Sequence, residues 1–375
     1  MLMTSELSVK QKAEIEILDN KLQAKLSNGI MNIQSVLGKM QEVDNMIEDY
    51  LMPPELLKFN VTDNTLMTNY EDKSFCIHNN ALSQLSTKYN VPGKYLKDMS
   101  RGKEWEQDLA VKILNEHSVN AKQDELLVRT VGGQVRGVLS NTYDRYSSFE
   151  VYKSFLEGAE SWGGTVICDA HHDDLTGYIE IVDRNIIPLR LKDDEVTYVV
   201  MGAQIRNSDF GCRALDVKVF FMQVICMNGM TGQSLVRRIH RGSAIQTTNI
   251  RLSNEALRAD AHARALMVRD CMTNVFDPLQ IEKQINVLEQ QAGHEVNIQR
   301  EIKKLPKLGV HKSEIELLEG KLMDANPEDG IIGGNTMWKL TQGISAVANT
   351  VECATRKRDL CDIAGGLLNR IKVEV

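Results

Sequence analysis

A dense apolar run from Val217 to Met227 is the feature that most constrains what this chain can fold into. Its Val, Phe, Ile and Met content reads as a buried strand. The run ends in Asn228-Gly229, and Arg237, Arg238, His240 and Arg241 follow soon after. A buried strand thus delivers a tight basic cluster to one edge of a core. The chain as a whole carries a formal net charge of −7. Between Arg213 and Arg269, nine basic residues face three acidic ones, a local charge of +6 that leaves −13 for the remainder. One basic face on an acidic body predicts an anion site, with a polyanion as the leading ligand.

The rest of the chain supplies helices around strands. Ile15, Leu18, Leu22, Leu26 and Ile30 recur at three- and four-residue spacing, which predicts a helix over 5–50 stopped by Pro53-Pro54. Such a helix could lie on the main body or pair with another subunit. Residues 75–118 read as mostly helical, with Asn79 or Asn80 as a cap and a break at Pro92-Gly93. Two β-rich runs flank Gly132-Gly133, whose freedom at positive φ suits a two-residue hairpin turn. Ser147-x-x-Glu150 reads as a capping box that opens a helix to about Trp162. Strands are expected at 165–169, 177–183, 195–206 and 214–227. A helix over 253–276 starts near Ser253 and is rich in small residues. After 278 the chain reads as helical, with Ser313-x-x-Glu316 as a second capping box.

This order predicts an α+β fold, with a central, mostly antiparallel sheet between helical ends. Three segments are expected: a helical extension over 1–54, an α+β core with the basic face over 55–277, and a helical region over 278–375. No apolar stretch reaches the roughly 18 residues of a membrane span. The polar start, MLMTSELSVKQKAEIE, has no signal-peptide core. The seven cysteines are odd in number and form no C-x-x-C pair, so reduced thiols and a cytoplasmic setting are expected.

Several groups could bind an anion. With the turn at Gly132-Gly133, Arg129 falls opposite Arg136 on one face of the hairpin. Like charges so placed cost up to about 1 kcal/mol. A bound anion would reverse that sign; alternatively, nearby carboxylates neutralise the pair or both side chains fan into water. Arg237, Arg238 and Arg241 offer planar donor forks suited to phosphate, with His240 among them. Arg251, Arg258, His262 and Arg269 share one stripe of the following helix, beside an apolar stripe of Leu252, Ala256, Ala259, Ala263 and Leu266. Tyr143 and Tyr146, with Arg145 between them, could stack on bases, whereas Phe149 reads as core. His171-His172-Asp173-Asp174 has metal-ligand residue types but reads as a polar turn. No phosphate-binding loop, dinucleotide fingerprint, nucleophile elbow or zinc-protease motif occurs. No catalytic residue, metal or cofactor is therefore assigned.

Three stretches resemble the phage/plasmid-like domain-of-unknown-function family (DUF nine-three-two). They are HNNALSQLSTKYNVPGKYL at 78–96, LLVRTVGGQVRGVLSNTYDRYSSFEV at 126–151 and VFFMQVICMNGMTGQSLVRRIHRG at 219–242. Arg136, Leu139-Ser140 and Tyr143 match that family's strand element; Cys226-Met227-Asn228-Gly229 and Arg238-Ile239-His240 match its later ones. The resemblance spans about 75–270. Its phage and plasmid setting implies a similarity to recombination proteins that anneal single strands. The expectation is a phage-type oligomer that binds single-stranded nucleic acid through Arg129, Arg136, Tyr143, Arg145, Arg237, Arg238, His240, Arg241, Arg251 and Arg258. The alternative is a structural or host-interaction protein whose arginines meet acidic patches of a neighbour. An enzyme with an unrecognised site at His171 and His172 is the third reading.

Overall fold

The computed structural model describes residues 8–143, 147–225, 228–238, 253–324 and 329–372. The fold is α+β, but its strands form two six-stranded sheets rather than one. Helix α1, Val9–Met46, is capped by Ser8, whose Oγ accepts from the Gln11 amide at 3.2 Å. It ends at Met46, short of Pro53-Pro54, because Ile47–Met52 (β1) pairs with Leu126–Val131 (β5). Three short strands follow: β2 (Lys58–Thr62), β3 (Thr65–Tyr70) and β4 (Lys73–Ile77). The turn between β2 and β3 uses Asp63 and Asn64 at φ 48° and 58°, values that Asp and Asn tolerate better than most residues. Helices α2 (Asn79–Lys88), α3 (Gly93–Met99) and α4 (Glu104–Val119) cover this sheet. Its order is β1-β5-β6-β4-β3-β2, with β6 spanning Gln134–Ser140 and only the β4–β6 pair parallel.

Its β2 edge is partly closed. Asn115 of α4 accepts from the Phe59 amide and donates to the Phe59 carbonyl, both at 2.9 Å. Those backbone groups would otherwise be open to another strand.

The Gly132-Gly133 turn forms as expected, at φ 55° and 81°, and pairs Val131 with Gln134. One residue further the ladder slips. Thr130 pairs with Val135, but Arg129 pairs with Gly137, so Arg136 is the extra residue of a bulge. The two arginines are not opposite each other, and no repulsion between them needs a ligand.

Helix α5 (Ser148–Glu160) starts at the Ser147 cap. The second sheet has the order β12-β11-β10-β8-β7, with β9 also on β10. Its strands are β7 (Thr165–His172), β8 (Gly177–Asp183), β9 (Ile187–Arg190), β10 (Val196–Asn207), β11 (Leu215–Gln223) and β12 (Asn228–Arg238). Strand β11 explains the dense apolar run. Val217, Val219 and Phe221 belong to the main core, while Phe220 and Met222 pack with Leu18, Leu22 and Leu26 of α1. A strand buried on both faces loses the alternation of a half-exposed one. The apolar stripe of α1 therefore docks on its own chain.

The remaining helices are α6 (Asn254–Val275), α7 (Pro278–Ala292), α8 (Ile298–Ile302), α9 (Lys312–Asp324), α10 (Met337–Ala348) and α11 (Ala354–Leu368). α10 is buried along almost its whole length, with Trp338 fully enclosed. Ile33 and Met40 of α1, the second sheet, Trp338 and Leu360 share one core. α9 starts at Lys312, and Glu314 rather than Glu316 reaches back, accepting from the His311 amide at 2.7 Å. Arg356 holds Glu314 from the other side, which keeps that carboxylate below its usual range. Among the described residues no helix is long and apolar enough to cross a membrane.

Leu22 is fully buried under the second sheet. Leu22→Ala should cost about 2–5 kcal/mol, read as a lower urea midpoint at unchanged slope. A cost below about 0.5 kcal/mol would place α1 away from the body.

Candidate nucleic-acid interface

The two sheets meet at the Asn207–Cys212 loop, and the residues expected to grip phosphate are used there instead. Register places Asp49 of β1 opposite Arg129 of β5. Arg129 donates from Nε to Asp49 Oδ1 at 2.8 Å and from Nη2 to Oδ2 at 2.9 Å. Its Nη1 donates to the Asp209 carbonyl at 2.9 Å. The residue is only 4% exposed, so its guanidinium is held by this two-pronged pair and shielded from any phosphate. Arg129 is a clamp between sheets. Tyr143 is likewise not a stacking platform: it is buried, its hydroxyl donates to the Ser208 carbonyl at 3.1 Å, and its ring lies 5.8 Å from the Arg129 guanidinium.

Arg136 is also withdrawn from a phosphate role. It donates to the Asp174 carbonyl at 3.0 Å and to Gln134 at 3.2 Å, and lies over the Phe210 ring. It thereby bolts the first sheet to the β7–β8 turn. Asn80 donates to the Arg136 and Phe210 carbonyls at 2.9 and 3.1 Å, and Gln84 donates to the Phe210 carbonyl at 2.8 Å. Phe210 is buried at the centre of these contacts.

The His171-His172-Asp173-Asp174 segment is a strand end and a turn. Asp173 Oδ1 accepts from the Leu175 and Thr176 amides at 2.8 and 2.7 Å. Among the described residues no group of three or more His, Cys, Asp or Glu is placed to hold a metal. Burial holds the His172 ring below its usual pKa, with Asp173 opposing and His171 and Arg136 reinforcing that shift.

Of the remaining candidates, Arg145, His240, Arg241 and Arg251 lie outside the described residues, as does Tyr146. Arg237 and Arg238 end β12 at the sheet's edge, with register partners Asp216 and Leu215. Successive strand positions alternate between faces, so the two positions belong to opposite faces of the sheet. α6 begins at its Ser253 cap, whose Oγ accepts from the Ala256 amide at 3.1 Å. It docks by Ala265, Val268 and Met272 rather than by Ala256, Ala259 and Ala263, which are exposed. The dock is close: a Cβ on Gly158 of α5 would sit 2.5 Å from the Arg269 carbonyl. Among the described side chains of its first two turns, Glu255, Ala256, Arg258, Ala259 and Asp260 are exposed, while Ala261 already packs against the core. Arg258 and His262 are exposed there, and no carboxylate among the described residues pairs with Arg258. Arg264 and Arg269 are tied to Asp260 and Asp270.

Sequence reading missed a second charged centre on the second sheet. Arg358 of α11 meets Glu180 of β8 at 2.8 Å and also pairs with Asp169. Arg206 of β10 meets Asp362 at 2.8 Å, and Lys218 bridges Asp216 and Asp362, each at 3.2 Å. Burial pushes the Glu180 carboxyl above its usual range, against the pull of Arg358. The available signal was a single charge inside apolar strands, as in YIEIVD and GAQIRN. These ion pairs fasten α11 to the sheet.

No family model, no curated protein and no solved structure matches this chain.

Two measurements test the junction. Asp49→Ala should cost about 3–5 kcal/mol by leaving the buried Arg129 guanidinium without its carboxylate, and its cost with Arg129→Ala should fall well short of additive. Full additivity in a chemical-denaturation cycle would sink the clamp. Burial pushes the Asp209 carboxyl up to about 6 from 3.8, with Arg129 opposing. The folded chain thus holds a proton that the unfolded chain releases at lower pH. The stability contributed is complete below pH 4 and is lost as pH rises through about 6. Asp209→Asn keeps an oxygen for the Ser148 amide and removes that loss. Its stability relative to the parent should rise between pH 4 and 7, by at most about 3 kcal/mol; a flat difference would refute the assignment.

Proposed function

We propose that this protein binds single-stranded nucleic acid as an oligomer, with strand annealing as its activity. The observation that carries the reading is the exposed face at the start of α6. Arg258 and His262 are exposed on it, and the small side chains of Ala256, Ala259 and Ala263 leave its surface narrow. A strand could therefore approach both residues closely. The basic end of β12, Arg237 and Arg238, precedes this helix in the sequence. Arg251, Arg241 and His240 join the same basic stretch. Arg129, Arg136 and Tyr143 are removed from the site, and their work is to hold the sheets together. Annealing requires no bond chemistry, so a cationic track is sufficient. Affinity would come mainly from counterion release and fall steeply with salt.

The test is a salt titration of oligothymidylate binding by fluorescence anisotropy. Arg258→Ala and the Arg237→Ala/Arg238→Ala pair should each weaken binding equally for all sequences. Each lost phosphate contact should reduce the salt slope by about 0.7. The melting temperature of Arg258→Ala should hardly move, since exposed charge changes usually shift stability by under about 0.5 kcal/mol. A parent that fails to bind at low salt would overturn the reading in favour of a purely structural role.

A further inference from the structure

The corner between α3 and α4 presents two large aromatic side chains to solvent. Tyr95 is 52% exposed and Trp105 is 63% exposed. On α4, Gln107, Ala110 and Leu114 face inward. Trp105 precedes them by two, five and nine residues, which at 100° per residue puts it on the opposite side of the helix. On α3, Leu96 and Met99 are the buried positions, and Tyr95 lies outside that face. The core makes no use of either ring. Exposed aromatics of this size are the residues that anchor interfaces.

The charges around them decide what fits. Lys94, Arg101 and Lys103 are exposed and Lys97 is half-buried. Asp98, Glu104 and Asp108 are exposed too, and Glu106 is engaged in the cap of α4, accepting from the Lys103 amide at 2.6 Å. Basic residues predominate through Lys103, and acidic ones follow from Glu104, so the four of each sign cancel. A polyanion would meet carboxylates on both sides of Trp105, at Glu104 and Asp108. A second copy of this surface, turned about a two-fold axis, would set the basic half of each chain against the acidic half of the other. Isologous contacts demand such self-complementarity.

We infer that the α3–α4 corner is a homodimer interface, with Tyr95 and Trp105 as its anchors and Arg101 and Lys103 meeting Glu104 and Asp108 of the second copy. This inference gives a contact surface to the oligomer of the proposed function, but because it invokes neither β12 nor α6 it can fail while nucleic-acid binding stands. The experiment is sedimentation equilibrium of the full chain without nucleic acid. The parent should dimerise at micromolar concentration. Trp105→Ala should raise the dimer dissociation constant at least about tenfold, with unchanged circular dichroism and melting temperature. Arg101→Glu/Lys103→Glu and Glu104→Lys/Asp108→Lys should each be monomeric alone and form a one-to-one dimer when mixed. That rescue is specific to a two-fold charge match. A monomeric parent, or a Trp105→Ala variant that dimerises as tightly as the parent, overturns the inference. So does quenching of Trp105 by oligothymidylate in a parent that stays monomeric, which would make nucleic acid the occupant.

Discussion

The Arg129 guanidinium holds the two halves of this fold in one piece. It receives a carboxylate from β1 on one side and a carbonyl from the inter-sheet loop on the other, and the Tyr143 ring lies over it. Left unpaired, a charge this deeply buried would cost several kcal/mol. Its partners must therefore be in place before the junction closes. Asp49 and Asp209 each lie 80 residues from it, in opposite directions along the chain. Contacts of that separation form late, because the connecting loops must first be ordered. Asn80, Gln84 and Arg136 then secure the same loop from the side of the first sheet.

Local signals in the sequence were reliable where local chemistry decides. The glycine turn, the Ser147 and Ser253 caps and the strand at 177–183 all form where spacing places them. The three short strands over 58–77 escaped notice, since their cue is only the Asp63-Asn64 turn and a few partly buried side chains. The bulge beside Arg129 has no marker in the sequence, yet it reverses the meaning of the arginine pair. The same holds for Arg136 and Tyr143. A charge or a ring in a strand looks available until a distant segment supplies its partner. Asp49, Asp174 and Ser208 are those partners, and spacing along the chain does not disclose them.

The charged residues consequently divide by role. Arg129, Arg206, Arg356 and Arg358 are fixed to carboxylates that join separate elements. Arg258 and the corner residues Arg101 and Lys103 stand at the exposed surface. The excess of basic residues between 213 and 269 is thus partly structural, because Arg213, Lys218 and Arg264 are already neutralised. The unneutralised remainder is smaller than the sequence count, and on α6 it is Arg258.

The Asn115 amide on the Phe59 backbone carries a consequence for how copies of this chain can associate. Sheets commonly extend from one molecule to the next by lending an open strand edge, which leads to continuous ladders and insoluble fibres. With Phe59 already occupied from within the chain at 2.9 Å on both its groups, a visiting strand at β2 would first have to displace a side chain from α4. Growth by ladder extension is blocked at that rim, which favours discrete, countable assemblies built from side-chain surfaces over open-ended polymers.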